Sequence, residues 1–236
     1  MKTEKRIQQA MIRLVLRQGY DKTTMEDIAR EAGVARSTIY TKWKTGEELF
    51  ASVLRAEALQ LAQTWYALVE VDPEGGSFTG IYRNGLLAIQ GNAFARALYT
   101  QDRRVLGSFV NQPQVAELMS DRLLWFVRLL EKLQAAGLVR PELDARTTAL
   151  VAITFRQGVL TLDPDAPAQY QVSYGQIIDA FVRMFRQFVE PETINRTAHS
   201  DLGKQILREF LEEFAQDYPA TASKNENPEG LTDDQN

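Results

Sequence analysis

The segment from Thr24 to Lys44 constrains this chain more tightly than any other. Thr24-Met25-Glu26-Asp27 has the form of a capping box. A hydroxyl at the cap position can accept from the free amides of a first helical turn, and an acid three residues on sits where the helix dipole favours an anion. Ile28, Ala29 and Ala32 carry an apolar face onward, and Gly33 ends it, because glycine enters the left-handed conformation without a Cβ clash. A short helix is predicted from about Ala35 to Trp43. A second capping box, Thr45-Gly46-Glu47-Glu48, then opens a long helix bearing Leu49, Phe50, Val53 and Leu54. Upstream, Ile7, Met11, Leu14 and Val15 share one face of a helix that stops at Gly19. Two short helices joined by a tight glycine turn and followed by a long capped helix make a helix-turn-helix.

The helix from Ala35 to Trp43 is two-faced. Val34, Ile39 and Trp43 form an apolar side that can hold it against its neighbours, and Arg36, Ser37, Thr38, Tyr40, Thr41 and Lys42 occupy the other. Short hydroxyls and arginine reach base edges, and lysine neutralises phosphate, so this face suits a DNA groove. Charge follows the same division. The first fifty positions hold ten Lys/Arg against seven Asp/Glu, and the remainder holds 17 against 24. A basic head on an acidic body fits a polyanion-binding module joined to a part that does not touch DNA.

Beyond the head the pattern stays helical. Helices are expected at about 78–99, 102–110, 114–136, 144–160, 171–189 and 201–216. Pro73 with Gly75-Gly76, Pro113, Gly137 with Pro141, the Asp163–Pro167 turn and Pro191 stand between them. Sustained alternation is absent, so no sheet is expected, and the polar tail from Pro219 is expected to be disordered. The chain lacks cysteine, which excludes disulfides and thiolate metal sites. No glycine-rich phosphate loop or metal-ligand spacing is present, and the single histidine, His199, reads as a linker residue, so an all-helical enzyme is a remote alternative and no cofactor is expected. The polar N-terminus and the short apolar runs predict a cytoplasmic protein with no membrane segment.

The run Thr23-Thr24-Met25-Glu26-Asp27-Ile28-Ala29-Arg30-Glu31-Ala32-Gly33-Val34-Ala35-Arg36-Ser37-Thr38-Ile39-Tyr40-Thr41-Lys42-Trp43-Lys44 resembles the head of TetR-family regulators. The resemblance covers about residues 5–55 by motif. It implies an all-α chain with a DNA-binding head over 1–54, a helical regulatory and dimerisation domain over 55–218, and a tail over 219–236. By motif position, Thr24 would meet phosphate, and Arg36, Ser37, Thr38, Tyr40, Thr41 and Lys42 would make the recognition contacts. Two positions depart from the family pattern: Ala35 stands where serine often caps the recognition helix, and Gly46 stands where lysine often meets phosphate, a role Lys44 can share.

The resemblance further implies an Ω-shaped homodimeric repressor, released from a palindromic operator in double-stranded DNA by a small, mostly apolar effector. Pocket-lining candidates on the corresponding helices are Leu61, Trp65, Tyr82, Leu86, Ile89, Phe109, Leu123, Phe126 and Phe155. Dimer-interface candidates are Ala152, Arg156, Tyr174, Ile177, Ile178, Phe181 and Phe185, with an anionic ligand as the alternative partner for Arg156. The rival reading keeps the DNA head and gives the body a protein partner in place of a small molecule.

Overall fold

The computed structural model describes residues 3–162, 172–192 and 195–217. Among them are eleven α-helices, two short 3₁₀ turns and no strand. The turn expected at Asp163–Pro167 and the tail over 219–236 lie outside the described residues.

The head is built from α1 (Thr3–Gln18), α2 (Met25–Ala32), α3 (Arg36–Tyr40) and the first turns of α4 (Gly46–Val71). Ile7, Met11, Leu14 and Val15 of α1 bury the stripe that their spacing predicts, against Ile28, Ile39, Trp43, Leu49, Phe50 and Val53. The second capping box is only half formed. Thr45 Oγ1 accepts from the Glu48 amide at 3.1 Å, but the Glu48 carboxylate accepts from the amide of Lys44 at 2.7 Å, one residue earlier than a reciprocal box requires.

The head's core does not stop at the expected boundary near residue 54. Helix α4 runs through it, and Phe94, Leu98, Leu106 and Phe109 of the body join the same cluster. Phe109 meets Phe50 edge-on at 4.3 Å between ring centres, and Tyr20 lies 5.2 Å from Phe109. The Asp21 carboxylate accepts from the Ser108 amide at 3.0 Å and from its hydroxyl at 2.5 Å. Gly107, at φ 53°, makes that approach possible, since a Cβ there would fall 2.3 Å from Asp21 Oδ2.

The body comprises the rest of α4, α5 (Phe78–Gln90), α6 (Ala93–Thr100), α7 (Arg103–Leu106), α8 (Pro113–Ala135), α9 (Ala145–Leu160), α10 (Tyr174–Val189) and α11 (Arg196–Asp217). Its core gathers Phe78, Ile81, Leu86, Leu129, Leu133, Ala149, Ala152, Ile178, Phe185 and Leu207. Two expected helices come out differently. The stretch 78–99 breaks at Gly91-Asn92, because the Asn92 side chain caps a new helix by accepting from the Ala95 amide at 2.9 Å. The stretch 102–110 is one short helix, α7, followed by a 3₁₀ turn over Gly107–Asn111. Helix α11 is docked on the α4–α5 connection: the Gly76 amide donates to Ser200 Oγ at 3.1 Å, and Lys204 Nζ donates to the Glu70 carbonyl at 2.9 Å. Among the described residues no helix is long and apolar enough to cross a membrane.

Candidate functional site

The polar face of the head is held by local chemistry. Thr24 Oγ1 accepts from the Asp27 amide at 3.1 Å, and Asp27 Oδ2 accepts from the Thr24 amide at 3.3 Å and from its hydroxyl at 2.6 Å. These bonds to Thr24 hold the Asp27 carboxyl below the usual carboxylate range. Gly33, at φ 63°, ends α2, and the Val34 amide reaches back to the Ala29 carbonyl at 3.0 Å. This left-handed closure sets the angle at which α3 leaves α2. Ala35 occupies the cap of α3 with extended backbone and offers no side-chain bond.

On α3, Ile39 is buried, and Trp43 just beyond the helix is buried beside it. Arg36, Ser37, Tyr40, Thr41, Lys42 and Lys44 are exposed, Thr38 is half-buried, and Thr24 is exposed at the start of α2. Arg36 donates to the Tyr40 hydroxyl at 3.0 Å, with its guanidinium 5.2 Å from that ring's centre. Lys42 pairs with Glu4 at 2.5 Å. Seven of the eight candidate DNA contacts are therefore exposed, Thr38 is half-buried, and one of the cations is tied to a carboxylate of α1.

A second site lies in the body. A mainly apolar cavity of about 140 Å³, partly open to solvent, is walled by α4, α5, α6, α8, α9 and α11. Of the nine pocket candidates, Leu61, Trp65, Tyr82, Leu86, Ile89 and Phe126 line it. The other three stand elsewhere. Phe109 is in the head's core, Leu123 packs against the body core away from the cavity, and Phe155 is stacked on Phe181 at 3.5 Å. Sequence reasoning missed Tyr99, Arg122, Trp125, Phe210 and Phe214, which also line the cavity. A signal was present: Arg122, Trp125, Phe126 and Leu129 fall at i, i+3, i+4 and i+7, so one cation heads an otherwise apolar helical stripe. Trp125 meets Phe210 and Phe214 edge-on, at 5.2 and 5.4 Å.

The seven interface candidates divide as well. Ala152, Ile178 and Phe185 are buried within the chain, and the Ala152 carbonyl accepts from the Tyr82 hydroxyl at 2.6 Å. Tyr174, Ile177 and Phe181 are half-buried, and Arg156 faces the cavity. What α9 and α10 turn outward is Leu150, Val151, Met184 and Phe188, the last two 68% and 54% exposed. Periodicity marks the apolar residues of a helix with two apolar sides, but it does not say which side meets the chain's own core.

Residues 7–53 match the profile of the bacterial regulatory proteins of the tetR family. The fold is similar to that of several solved regulators. A transcriptional regulator from Rhodococcus sp. is 18% identical, with 80% of this chain and 99% of that one covered at a TM-score of 0.55. The ketosteroid transcriptional regulator KstR2 of Mycobacterium tuberculosis is 17% identical, with 81% and 96% covered at 0.53. FadR of Bacillus subtilis, in complex with stearoyl-CoA, is 16% identical, with 86% and 96% covered at 0.52. The head over residues 7–53 thus matches the tetR-family helix-turn-helix profile, and the all-helical body is similar in fold to these solved regulators.

Proposed function

We propose that this regulator is a homodimeric repressor that binds a palindromic operator through α3 and leaves it when a small, mostly apolar effector fills the body cavity. One observation carries the reading: α4 belongs to both sites. Its first turns supply Leu49, Phe50, Val53 and Leu54 to the head's core, and its later turns supply Leu61 and Trp65 to the cavity wall. A change in the wall is thereby a change in the helix on which the head sits. The FadR relative, in complex with stearoyl-CoA, supports a small-molecule effector for this body.

The exposed Leu150, Val151, Met184 and Phe188 give α9 and α10 an apolar face suited to a second copy. A twofold dimer would set two α3 helices in successive major grooves, about 34–36 Å apart. Thr24, Arg36, Ser37, Thr38, Tyr40, Thr41, Lys42 and Lys44 are the proposed DNA contacts. The chain acts in the cytoplasm in this reading and carries no catalytic activity. The rival reading keeps the DNA head and gives the body a protein partner in place of a small molecule. Electrophoretic shift with the chain's own upstream region tests the proposal, alongside light scattering for oligomeric state. A retarded dimer complex at low salt is expected, and a monomer that shifts no upstream fragment would sink it.

A further inference from the structure

The polar groups around the body cavity are unevenly disposed. Trp65 Nε1 donates to the Ile81 carbonyl at 2.8 Å, and the Tyr82 hydroxyl donates to the Ala152 carbonyl at 2.6 Å. Both are committed to the protein's own backbone. The charged groups at the wall are Arg122 and Arg156, whose guanidiniums lie 4.1 and 4.7 Å from the centre of the Tyr99 ring. None of the described residues lining the cavity is acidic. Arg156 Nε is shut off from solvent and has no hydrogen-bond partner among the described residues.

An arginine does not shed its proton in a protein, so a sheltered guanidinium keeps its charge and the cost of desolvating it. Burial, and to a lesser degree the charge of Arg122, pull Arg156 below the usual arginine range against the opposing influence of Tyr99. The Tyr99 ring offsets part of that cost through its negative face. A bound anion would offset more of it. Size limits the rest of the molecule. The cavity's 140 Å³ compares with about 150 Å³ for an apolar cavity that takes benzene, and falls below the roughly 300 Å³ at which drug-sized pockets begin.

We propose that the body cavity is a site for small organic acids, with the carboxylate held at Arg122 and Arg156 and a ring or short alkyl body packed on Trp65, Leu86 and Phe126. The inference rests on reading this cavity as the effector site, and it adds the chemical class of the effector. It also gives α11 a role, since Phe210 and Phe214 close the same cavity from the C-terminal side. The two guanidiniums select charge, and the aromatic walls select a flat or short apolar group.

Calorimetry on the full chain with benzoate, hexanoate and benzamide tests this at neutral pH. Benzamide has the shape of benzoate without its charge. Benzoate should bind about ten-fold more tightly than benzamide or better, the gain expected of a charge-assisted contact in a sheltered site. Arg156→Met should erase that preference, and Arg156→Lys should restore part of it. The benzoate-to-benzamide ratio on the unaltered protein carries the test if the Met variant fails to fold. Equal binding of the pair, no binding of either acid at millimolar concentration, or a preference that survives Arg156→Met would each overturn the proposal. An acid that binds but leaves operator affinity unchanged contradicts release by an effector and leaves the acid site standing. Release by a neutral apolar compound, with no acid binding, does the reverse.

Discussion

The head and the body each set arginine beside tyrosine, and the solvent around the two arrangements separates what they can do. In the head, Arg36 reaches the Tyr40 hydroxyl at 3.0 Å with both side chains exposed. Such a pair is worth little in water and rearranges freely, so its donors remain available to a base edge or a phosphate. In the body, Arg156 lies 4.7 Å from the Tyr99 ring, and its Nε is shielded from solvent and unbonded. There the charge is held at a cost that the Tyr99 ring offsets only in part, and an anion entering the cavity would lower it further. The same two residue types therefore make a mobile reading surface in one place and a fixed demand for an anion in the other.

The largest effect should come from the junction between these regions. Phe109→Ala removes an aromatic ring packed edge-on against Phe50 and should cost about 3–5 kcal/mol of stability in chemical denaturation. Effector affinity should hold at temperatures where the variant stays folded. A variant that keeps its stability and loses effector binding would place Phe109 with the cavity after all. Next, Arg36→Ala should weaken operator binding by about 1–3 kcal/mol if it reads a base, with effector binding unaltered. Fluorescence anisotropy on operator DNA would show this, and an unchanged Kd would reduce Arg36 to a solvated residue.

Stability then separates the two arginines directly. Arg156→Met should raise the unfolding free energy of the empty protein by about 1 kcal/mol, because a sheltered charge that the Tyr99 ring offsets only in part is removed. Arg36→Met should stay within about 0.5 kcal/mol of the parent, as surface changes do. Equal responses would dissolve the contrast.

How much of this could be read in advance differs between the regions for a physical reason. The head is local. Its helix starts and stops are written in Thr24, Asp27, Gly33 and Thr45, whose caps act within four residues, and its polar face follows from the spacing around Ile39 and Trp43. The cavity is tertiary. Arg156 and Arg122 meet Tyr99 only because α9, α8 and α6 pack together, so no single stretch announces the cluster. Phe109 has an aromatic's usual preference for burial, but which core receives it depends on the turn at Gly107 and on the grip of Asp21 upon Ser108. The break at Gly91-Asn92 was legible in principle, since asparagine after glycine can restart a helix, and a continuous apolar pattern on both sides of it hid the signal.

Smaller effects test the head's local chemistry. Thr24→Ala should cost about 0.5–2 kcal/mol, the usual worth of a cap. Asp27 has its folded pKa lowered by Thr24, so its stabilising contribution is complete above the unfolded carboxyl value of about 3.9 and is lost as pH falls through the folded value. The gap between parent and Thr24→Ala should accordingly narrow in acid melts, and a gap that widens there would refute the capping account. The smallest effect concerns Lys42, which Glu4 holds at 2.5 Å. Glu4→Gln frees that cation and removes a carboxylate near the interface, so non-specific DNA affinity at low salt should rise about two- to five-fold and the rise should fade as salt is added.

Footprinting of the purified protein on its own upstream DNA tests the central claim most directly. The account predicts two protected half-sites related by a twofold axis, with centres about one helical turn, or a multiple of it, apart, and loss of both protections in Arg36→Ala at matched concentration. An unprotected upstream region at low salt, or protection that Arg36→Ala leaves intact, would contradict it.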